Sequence, residues 1–366
     1  MKSNYKSIDE LVEKVDERNT DEQVSELLGV SIDKCFIKSV ANINGTDLSK
    51  YKVIRKNDFA VSLMQVSRDA KIPVAMQTEY EEAIMSPAYP IFRVKDKSII
   101  LPEYLDMWFK RPEFDREAAF IAVGGVRGSM PWEEFTKMEL PVPPIDEQLE
   151  IVKSYKAIED RIALKQQIND NLAEYLNCVF MSISAAITDT IPLSEICDYV
   201  SEKATFSDIS TAIYISTENI LQDKQGISSF GTTSPSERVT PFQERDVLVS
   251  NIRPYFKKMW FATTSGGCNA DVLCLRASDS NYSYLLKSIL YQDSFFDFVM
   301  SGSKGTKMPR GDKKHIMQYQ IPLFSKDELT EFNDLALAIE QIQAANRKEI
   351  SFLYSAQEIL LTTLSR

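Results

Sequence analysis

A glycine-rich segment near the end of the chain is strongly basic, although the chain as a whole is acidic. Residues 301–314 of 366 read SGSKGTKMPRGDKK, whereas the net charge of the chain is −11. The glycines are Gly302, Gly305 and Gly311, and the cations are Lys304, Lys307, Arg310, Lys313 and Lys314. Glycines let the backbone approach a partner closely, and cations suit a partner that carries phosphates. The segment therefore predicts an anion-binding loop; the alternative is a solvated connector whose lysines contact little.

A second segment of the same kind lies about 180 residues earlier in the chain. Residues 124–143 read GGVRGSMPWEEFTKMELPVP, with the basic residue Arg127 among glycines and the pair Met-Pro after them. Residues 307–324 read KMPRGDKKHIMQYQIPLF, with the same pair and a later proline after an aliphatic residue. A loop that occurs twice at this spacing predicts an internal duplication.

Signals for catalysis and for metal binding are weak. The one histidine, His315, stands without a serine motif beside it, and the five cysteines lack C-x-x-C spacing. The stretch SGSKGTK does not satisfy the phosphate-loop pattern, and SPAYPIF has Ser86 and Ala88 at the diagnostic positions of the adenine-methyltransferase box. We therefore expect a binding protein with free cysteines, without a metal and without a catalytic site.

Two long amphipathic helices are predicted. After Pro144 no proline or glycine occurs until Pro192, and apolar residues recur at steps of three and four. The last segment repeats this pattern, and Ser325 and Glu328 at its start have the spacing of a capping box. Two helices of nearly equal length can bury each other's apolar stripes as a coiled coil. The alternative is that each helix packs only on its own neighbouring domain.

Two mixed blocks of strands and helices alternate with these long helices. The run YKVIRKNDFAVSLM in the first block has a counterpart in RDVLVSNI in the second, and each block passes through its glycine-rich loop into a long helix. The predicted domains are 1–143, 144–189, 190–325 and 326–366. No apolar stretch is long enough to cross a membrane and the start lacks a signal-peptide core, so we expect a cytoplasmic protein that does not enter a membrane.

The order of these parts resembles the specificity subunit of Type I restriction-modification systems. The matching text is GGVRGSMPWEEF followed by LPVPPIDEQLEIV, then KMPRGDKKHIMQYQIPLF followed by its helix. Residues 29–75 also look like one variety of first target-recognition domain in that family. The second copy, QIPLFSKDELTEF, departs from the pattern because it lacks the second proline and the Glu-Gln pair. The resemblance covers essentially the whole chain.

The resemblance implies an α+β fold with two α/β target-recognition domains in a pseudo-two-fold arrangement, separated by two long antiparallel helices. It implies that each domain reads one half of a split, asymmetric site on double-stranded DNA and that the chain itself is not an enzyme. Two modification subunits would bring S-adenosylmethionine, and a restriction subunit, the motor-nuclease, would bring ATP and Mg²⁺. The residues that would meet a partner subunit are Pro143, Pro144, Glu147 and Gln148, although helix-start chemistry alone also explains them.

The chemistry of the basic residues predicts which part of a DNA partner each would meet. Arg127 of the first loop and the five cations of the second loop would meet phosphates. Arg68, in VSRDAK, and Arg253 with Asn251, in SNIRPYF, are candidate base readers, because Arg and Asn make bidentate contacts with base edges. Each is equally a candidate for a salt bridge at a strand end.

Two other functions stay open at this point. One is the recognition portion of a nuclease-methyltransferase of another restriction type, which fused catalytic domains would reveal. The other is a protein-interaction scaffold with no role on DNA, which the net acidity of the chain favours.

Overall fold

The computed structural model describes residues 4–39, 46–64, 66–124 and 128–364, and it forms two compact units. The first unit holds residues 1–165 and 347–366, and the second holds residues 166–346. Each unit therefore combines one mixed block of strands and short helices with parts of both long helices.

The first unit contains two four-stranded sheets and a short strand pair within the described residues. In chain order its elements are β1 (Tyr5–Ser7), α1 (Ile8–Leu11), β2 (Val12–Val15), β3 (Leu27–Val30), β4 (Phe36–Lys38), β5 (Lys52–Arg55), β6 (Phe59–Val61), α2 (Val66–Asp69), β7 (Val74–Met76), β8 (Glu82–Met85), β9 (Ile91–Val94), α3 (Pro102–Phe109), α4 (Pro112–Ile121), α5 (Trp132–Lys137) and β10 (Glu139–Pro141), after which α6 (Ile145–Ala186) begins. The strand orders are β2-β9-β6-β7 and β4-β3-β8-β5, and β1 pairs antiparallel with β10.

The core of the first unit lies between the β2-β9-β6-β7 sheet and the helices that follow it. Phe59 on β6 stacks on Phe92 on β9, with ring centroids 5.2 Å apart, and Phe109 of α3 meets Phe59 edge-on. Both α3 and α4 begin with a proline, which suits the first turn because no hydrogen bond is needed from its nitrogen there. This packing fixes the end of β6, from which the chain passes into α2.

The second unit repeats this plan. Its elements are β11 (Thr190–Pro192), β12 (Cys197–Tyr199), β13 (Ala204–Thr205), β14 (Tyr214–Ile215), β15 (Arg238–Phe242), β16 (Val247–Ser250), β17 (Met259–Phe261), β18 (Gly266–Cys268), β19 (Val272–Ala277), α7 (Ser283–Leu290), α8 (Asp293–Ser301), α9 (Lys313–Ile316), β20 (Gln320–Pro322) and the start of α10 (Lys326–Thr363). The strand orders are β12-β19-β16-β17 and β13-β15-β18-β14, and β11 pairs antiparallel with β20. The order of the first sheet is that of β2-β9-β6-β7, so the predicted duplication is confirmed.

A buried ion pair repeats in both units at the same place in this sheet. Before β6, the Asp58 carboxylate accepts two hydrogen bonds from Arg93 on β9, at 3.0 and 2.9 Å. Before β16, the Asp246 carboxylate accepts two from Arg276 on β19, at 2.9 and 2.7 Å. Both aspartates also accept a backbone N–H from the residue three positions earlier. A bidentate pair has a defined geometry, so it fixes the strand that leads to each candidate site.

The two long helices pack antiparallel within each unit. In the first unit Lys165 of α6 lies 3.0 Å from Glu349 of α10. In the second unit Asn346 donates to the Asn169 side chain at 2.8 Å, and Gln343 donates to the Asn169 carbonyl at 2.9 Å. The predicted antiparallel helix pair is thus confirmed, and packing of each helix on its neighbouring domain alone is wrong.

The start of α10 also has the predicted capping box. The Ser325 N–H donates to the Glu328 carboxylate at 2.8 Å, and the Glu328 N–H donates to the Ser325 hydroxyl at 3.3 Å. Two backbone N–H groups that the helix itself leaves without acceptors are satisfied in this way. None of the described helices is both long enough and apolar enough to span a membrane.

Candidate nucleic-acid interface

The basic segment of the second unit forms a closed loop. Lys304 and Arg310 exchange two backbone hydrogen bonds, at 2.9 and 3.0 Å, so the five residues between them form its tip. Gly305 has a φ of +99°, a conformation that side chains with a Cβ rarely adopt. The glycine is therefore required by the backbone path of the loop as well as by any close approach of a partner.

This loop lies directly on the connection between β16 and β17. The Arg253 N–H donates to the Pro309 carbonyl at 2.8 Å, and Ile252 pairs with Arg310 in an isolated bridge. A Cβ on Gly311 would lie 3.0 Å from the Asn251 Oδ1 and 2.9 Å from a methyl group of Val299, so glycine lets these side chains pack closely against the loop. The structure thus brings the predicted base readers and the predicted phosphate contacts of the second unit into one surface.

Asn251 and Arg253 keep part of their hydrogen-bonding capacity unused. The Asn251 Oδ1 and the Arg253 Nε are buried and have no hydrogen-bond partner among the described residues. Arg253 also has a left-handed backbone, with a φ of 50°, and it precedes the 3-10 turn Pro254–Phe256. A non-glycine residue held in this conformation is strained, which is common at functional sites.

Two of the five loop cations are held by carboxylates. Arg310 lies 3.0 Å from Asp271, and Lys304 lies 2.6 Å from Asp312. The Lys304 ammonium and the N–H groups of His315 and Lys314 lower the pKa of Asp312 to about 2. Asp312 is therefore charged at any physiological pH, and it caps the start of α9. Exposed ion pairs of this kind contribute little to stability, so a phosphate can replace the carboxylate at small cost.

The other three cations differ in how they are held. Lys313 places its ammonium 5.4 Å from the centre of the Tyr199 ring. Lys307 and Lys314 are exposed, and their ammonium groups contact no acidic side chain in the described ranges. These two lysines are available to an anionic partner without any rearrangement.

The first unit has a similar contact between its glycine-rich loop and the connection from β6 to β7. Gly128 has a φ of +72°, and a Cβ there would lie 2.3 Å from the Ser67 Oγ and 3.6 Å from the Arg68 nitrogen. The Met130 N–H donates to the Leu63 carbonyl at 2.9 Å. Arg127 lies outside the described residues. In the first unit, therefore, residues 128–130, before α5, contact the connection that follows β6. In the second unit the loop before α9 contacts the connection that follows β16, the strand at the same place in its sheet.

Arg68 pairs with its chain neighbour rather than with a distant strand end. Its guanidinium donates twice to Asp69, at 2.7 and 3.1 Å, and this contact lowers the pKa of Asp69. The Arg68 side chain is 63% exposed. Because the pair is exposed, Arg68 can turn from Asp69 towards a base edge or a phosphate.

The Met-Pro pairs of the two loops differ in how far their methionines are exposed. Met130 is 2% exposed in the core of the first unit, and Pro131 precedes α5. Met308 is 48% exposed at the tip of the second loop, and Pro309 is buried. Sequence reasoning used both methionines only as landmarks, and it missed Met308 and Asp271 as members of the candidate surface. An apolar residue between Lys307 and Arg310 was the available signal for Met308.

The four residues predicted to meet a partner subunit lie at the start of α6. Pro144 and Glu147 are exposed, and Pro143 is half-buried. Gln148 is fully buried: its amide accepts the Leu101 N–H at 2.9 Å and donates to the carbonyls of Ile99 and Pro143 at 2.9 and 2.8 Å. The Gln148 side chain thus fixes the start of α6 to the first unit.

The histidine is not placed to activate a serine. The His315 Nε2 lies 3.2 Å from the Ser301 Oγ, but it also lies 3.0 Å from the Phe298 carbonyl, which can only accept. The Ser301 hydroxyl donates to the same carbonyl at 2.7 Å, so its proton is directed at Phe298 and not at the histidine. The described residues include no cluster of side chains that could hold a metal, and all five cysteines are free.

Comparisons with known proteins identify the fold. No protein-family model matches the chain, and no curated protein matches it in sequence. The S subunit of a Type I restriction-modification system from M. genitalium has a similar structure, with a TM-score of 0.58 and 13% sequence identity, covering 99% of this chain and 96% of that one.

Two further solved structures resemble the chain over the same extent. One, from work on complex assembly and conformational transition of the type I R-M system, has a TM-score of 0.48 and 14% identity, covering 99% of this chain and 97% of that one. The HsdS subunit from Thermoanaerobacter tengcongensis has a TM-score of 0.37 and 15% identity, covering 99% and 96%. On the M. genitalium match, together with the repeated sheets and the antiparallel helices, this chain has the fold of the S subunit of a Type I restriction-modification system.

Proposed function

We propose that this chain is the DNA-recognition subunit of a Type I restriction-modification enzyme and that each of its two units reads one half of a split DNA site. The observation that carries the proposal is a contact that occurs in both units. In each, a glycine-rich segment contacts the connection that follows the corresponding sheet strand, β6 in the first unit and β16 in the second. In the second unit this contact joins the segment of Asn251 and Arg253 to the loop that carries Lys307 and Arg310. Cations supply affinity for phosphates, and Arg and Asn supply recognition of base edges.

The roles divide by chemistry. Lys307 and Lys314 are exposed cations that suit phosphates, whereas Lys304 and Arg310 must first leave Asp312 and Asp271. Asn251 and Arg253 are half-buried on the segment that contacts the loop, and their side chains other than the buried Asn251 Oδ1 and Arg253 Nε would read bases. In the first unit Arg68 takes the corresponding role.

The chemistry of the enzyme belongs to partner subunits in this proposal. Two modification subunits would supply S-adenosylmethionine and methyl transfer, and a restriction subunit would supply ATP- and Mg²⁺-dependent cleavage. The protein would act in the cytoplasm, where its DNA is. The exposed cations of the second loop support a role in binding an anionic partner.

Methylome sequencing of the host with and without this gene tests the proposal. We expect a split, asymmetric methylated motif that disappears on deletion and returns when the wild-type gene is restored. A methylome that does not change on deletion would refute the proposed function, provided that the modification subunit is expressed in both strains.

A further inference from the structure

An apolar side chain stands at the tip of the cationic loop in the second unit. Met308 is 48% exposed, and its neighbours in the loop include the free ammonium of Lys307 and the guanidinium of Arg310. The loop is acidic only at Asp312, which Lys304 already engages. One exposed apolar side chain is ordinary, but a second one, Tyr255, lies on the segment that the Arg253–Pro309 hydrogen bond joins to this loop. Exposed apolar surface that is grouped in this way among cations indicates a contact that forms with a partner.

The exposure of Met308 is fixed by the backbone around it. Lys304 and Arg310 close the loop with two hydrogen bonds, and the next residue after Met308, Pro309, accepts the N–H of Arg253 at 2.8 Å. Pro309 itself is buried. The tip is therefore attached on both sides, and Met308 projects from a defined position rather than from a free segment.

The surroundings determine the kind of partner. An apolar side chain among cations fits a polyanion that offers apolar surface behind its charges, and double-stranded DNA has this chemistry: phosphates outside, base edges and thymine methyl groups within the groove. The adjoining 3-10 turn Pro254–Phe256 adds a second exposed side chain with apolar surface, Tyr255, which is 47% exposed. Arg253, the candidate base reader, lies two residues before Tyr255 and donates its backbone N–H to Pro309, the residue after Met308.

We infer that Met308 is a base-contacting residue of the second unit, which enters the groove of the DNA between phosphates held by Lys307 and Arg310. This inference rests on the proposed function and adds a specificity determinant to it. Contacts with phosphates act on any DNA, whereas an apolar contact with bases acts only on the correct site. Lys307 and Met308 are adjacent, and substitutions at the two positions should therefore leave opposite signatures.

The test uses the complex of the full chain with its modification subunits. Dissociation constants are measured over a series of salt concentrations for DNA that contains the methylated site and for unrelated DNA. For Met308→Ala we expect about tenfold weaker binding to the site, unchanged binding to unrelated DNA and an unchanged salt slope. Met308→Leu should keep most of the affinity. For the control Lys307→Ala we expect weaker binding to both DNAs and a slope smaller by about 0.9.

Three results would overturn the inference. They are an unchanged affinity of Met308→Ala for the site, an equal loss on both DNAs, or loss of the modification subunit from the Met308→Ala complex in the absence of DNA. The last result would show that Met308 contacts protein. Failure of the proposed function looks different, because the wild-type complex would then not distinguish its site from unrelated DNA.

Discussion

The guanidinium of Arg310 lies 3.0 Å from the carboxylate of Asp271, so a predicted phosphate contact is held by an acidic neighbour in the free protein. Asp271 lies immediately before β19, and its carbonyl accepts the Asn251 N–H, which places the carboxylate at the edge of the candidate surface. A phosphate and this carboxylate compete for the same cation. Under the proposed function we therefore expect Asp271 to weaken binding to DNA of any sequence.

Removing that competitor should strengthen non-specific binding. For Asp271→Asn we expect about three- to tenfold tighter binding to unrelated DNA at low salt, because one repulsive charge is lost and Arg310 is released. Electrophoretic or anisotropy titrations measure this directly. Glu331→Gln, which removes an exposed charge from α10, is the control, and an equal effect of both variants would mean that net charge alone is responsible.

The exposed cations should dominate the salt dependence. Lys307→Ala combined with Arg310→Ala should reduce the slope of log K against log salt by about 1.8, since each lost phosphate contact removes about 0.9. Lys326→Ala, at the start of α10, should leave the slope unchanged. If the double variant of the loop keeps the wild-type slope in a correctly folded complex, these residues do not contact DNA.

Gln148 should matter for stability even when no partner is present. Its side chain holds three backbone groups of the first unit, at Leu101, Ile99 and Pro143. Gln148→Ala leaves these buried groups without partners and should lower the free energy of unfolding by about 2–3 kcal/mol. Glu147→Ala, one residue earlier and exposed, should change it by less than about 0.5 kcal/mol. Urea unfolding of the isolated subunit measures both, and equal effects would contradict this role for Gln148.

A polar contact between the long helices should set their register. Asn346 is nearly fully buried and donates to Asn169 at 2.8 Å. Asn346→Leu leaves the Asn169 amide without this donor and should destabilise the chain by about 1–3 kcal/mol. Replacing both asparagines with leucine should recover that loss, because an apolar pair costs no desolvation of polar groups. Thermal unfolding of the two variants tests this, and a double variant less stable than the single one would contradict it.

The long helices and the duplication could be predicted from the sequence because their signals are local or repeated. The span without proline or glycine after Pro144 gave the extent of α6, and Ser325 with Glu328 gave the start of α10. Exposure along the helices was less predictable. Leu149 and Tyr175 are among the apolar residues that recur at steps of three and four after Pro144, yet each is about half exposed.

The candidate site could be predicted only in part, since its decisive contacts join residues far apart in the chain. Arg310 and Asp271 are 39 residues apart, and no local pattern reports their pairing. The shared Met-Pro sequence at Met130 and Met308 wrongly suggests equivalent positions, because Met130 is buried in the core and Met308 is exposed. The repeated Asp58–Arg93 and Asp246–Arg276 pairs could have been found from the sequence. In each block an aspartate directly precedes a run of apolar residues that forms a strand, and the two blocks can be aligned on this feature.

The most direct test of the account is the methylated motif of two single variants of the full chain, Arg68→Ala in the first unit and Arg253→Ala in the second. The motif of each variant is determined by methylome sequencing and compared with that of the wild type. If each unit reads one half-site, Arg68→Ala should relax base preference in one half of the motif and Arg253→Ala in the other, with the opposite half unchanged in each case. Relaxation of the same half by both variants, or an unaltered motif in both, would contradict the account.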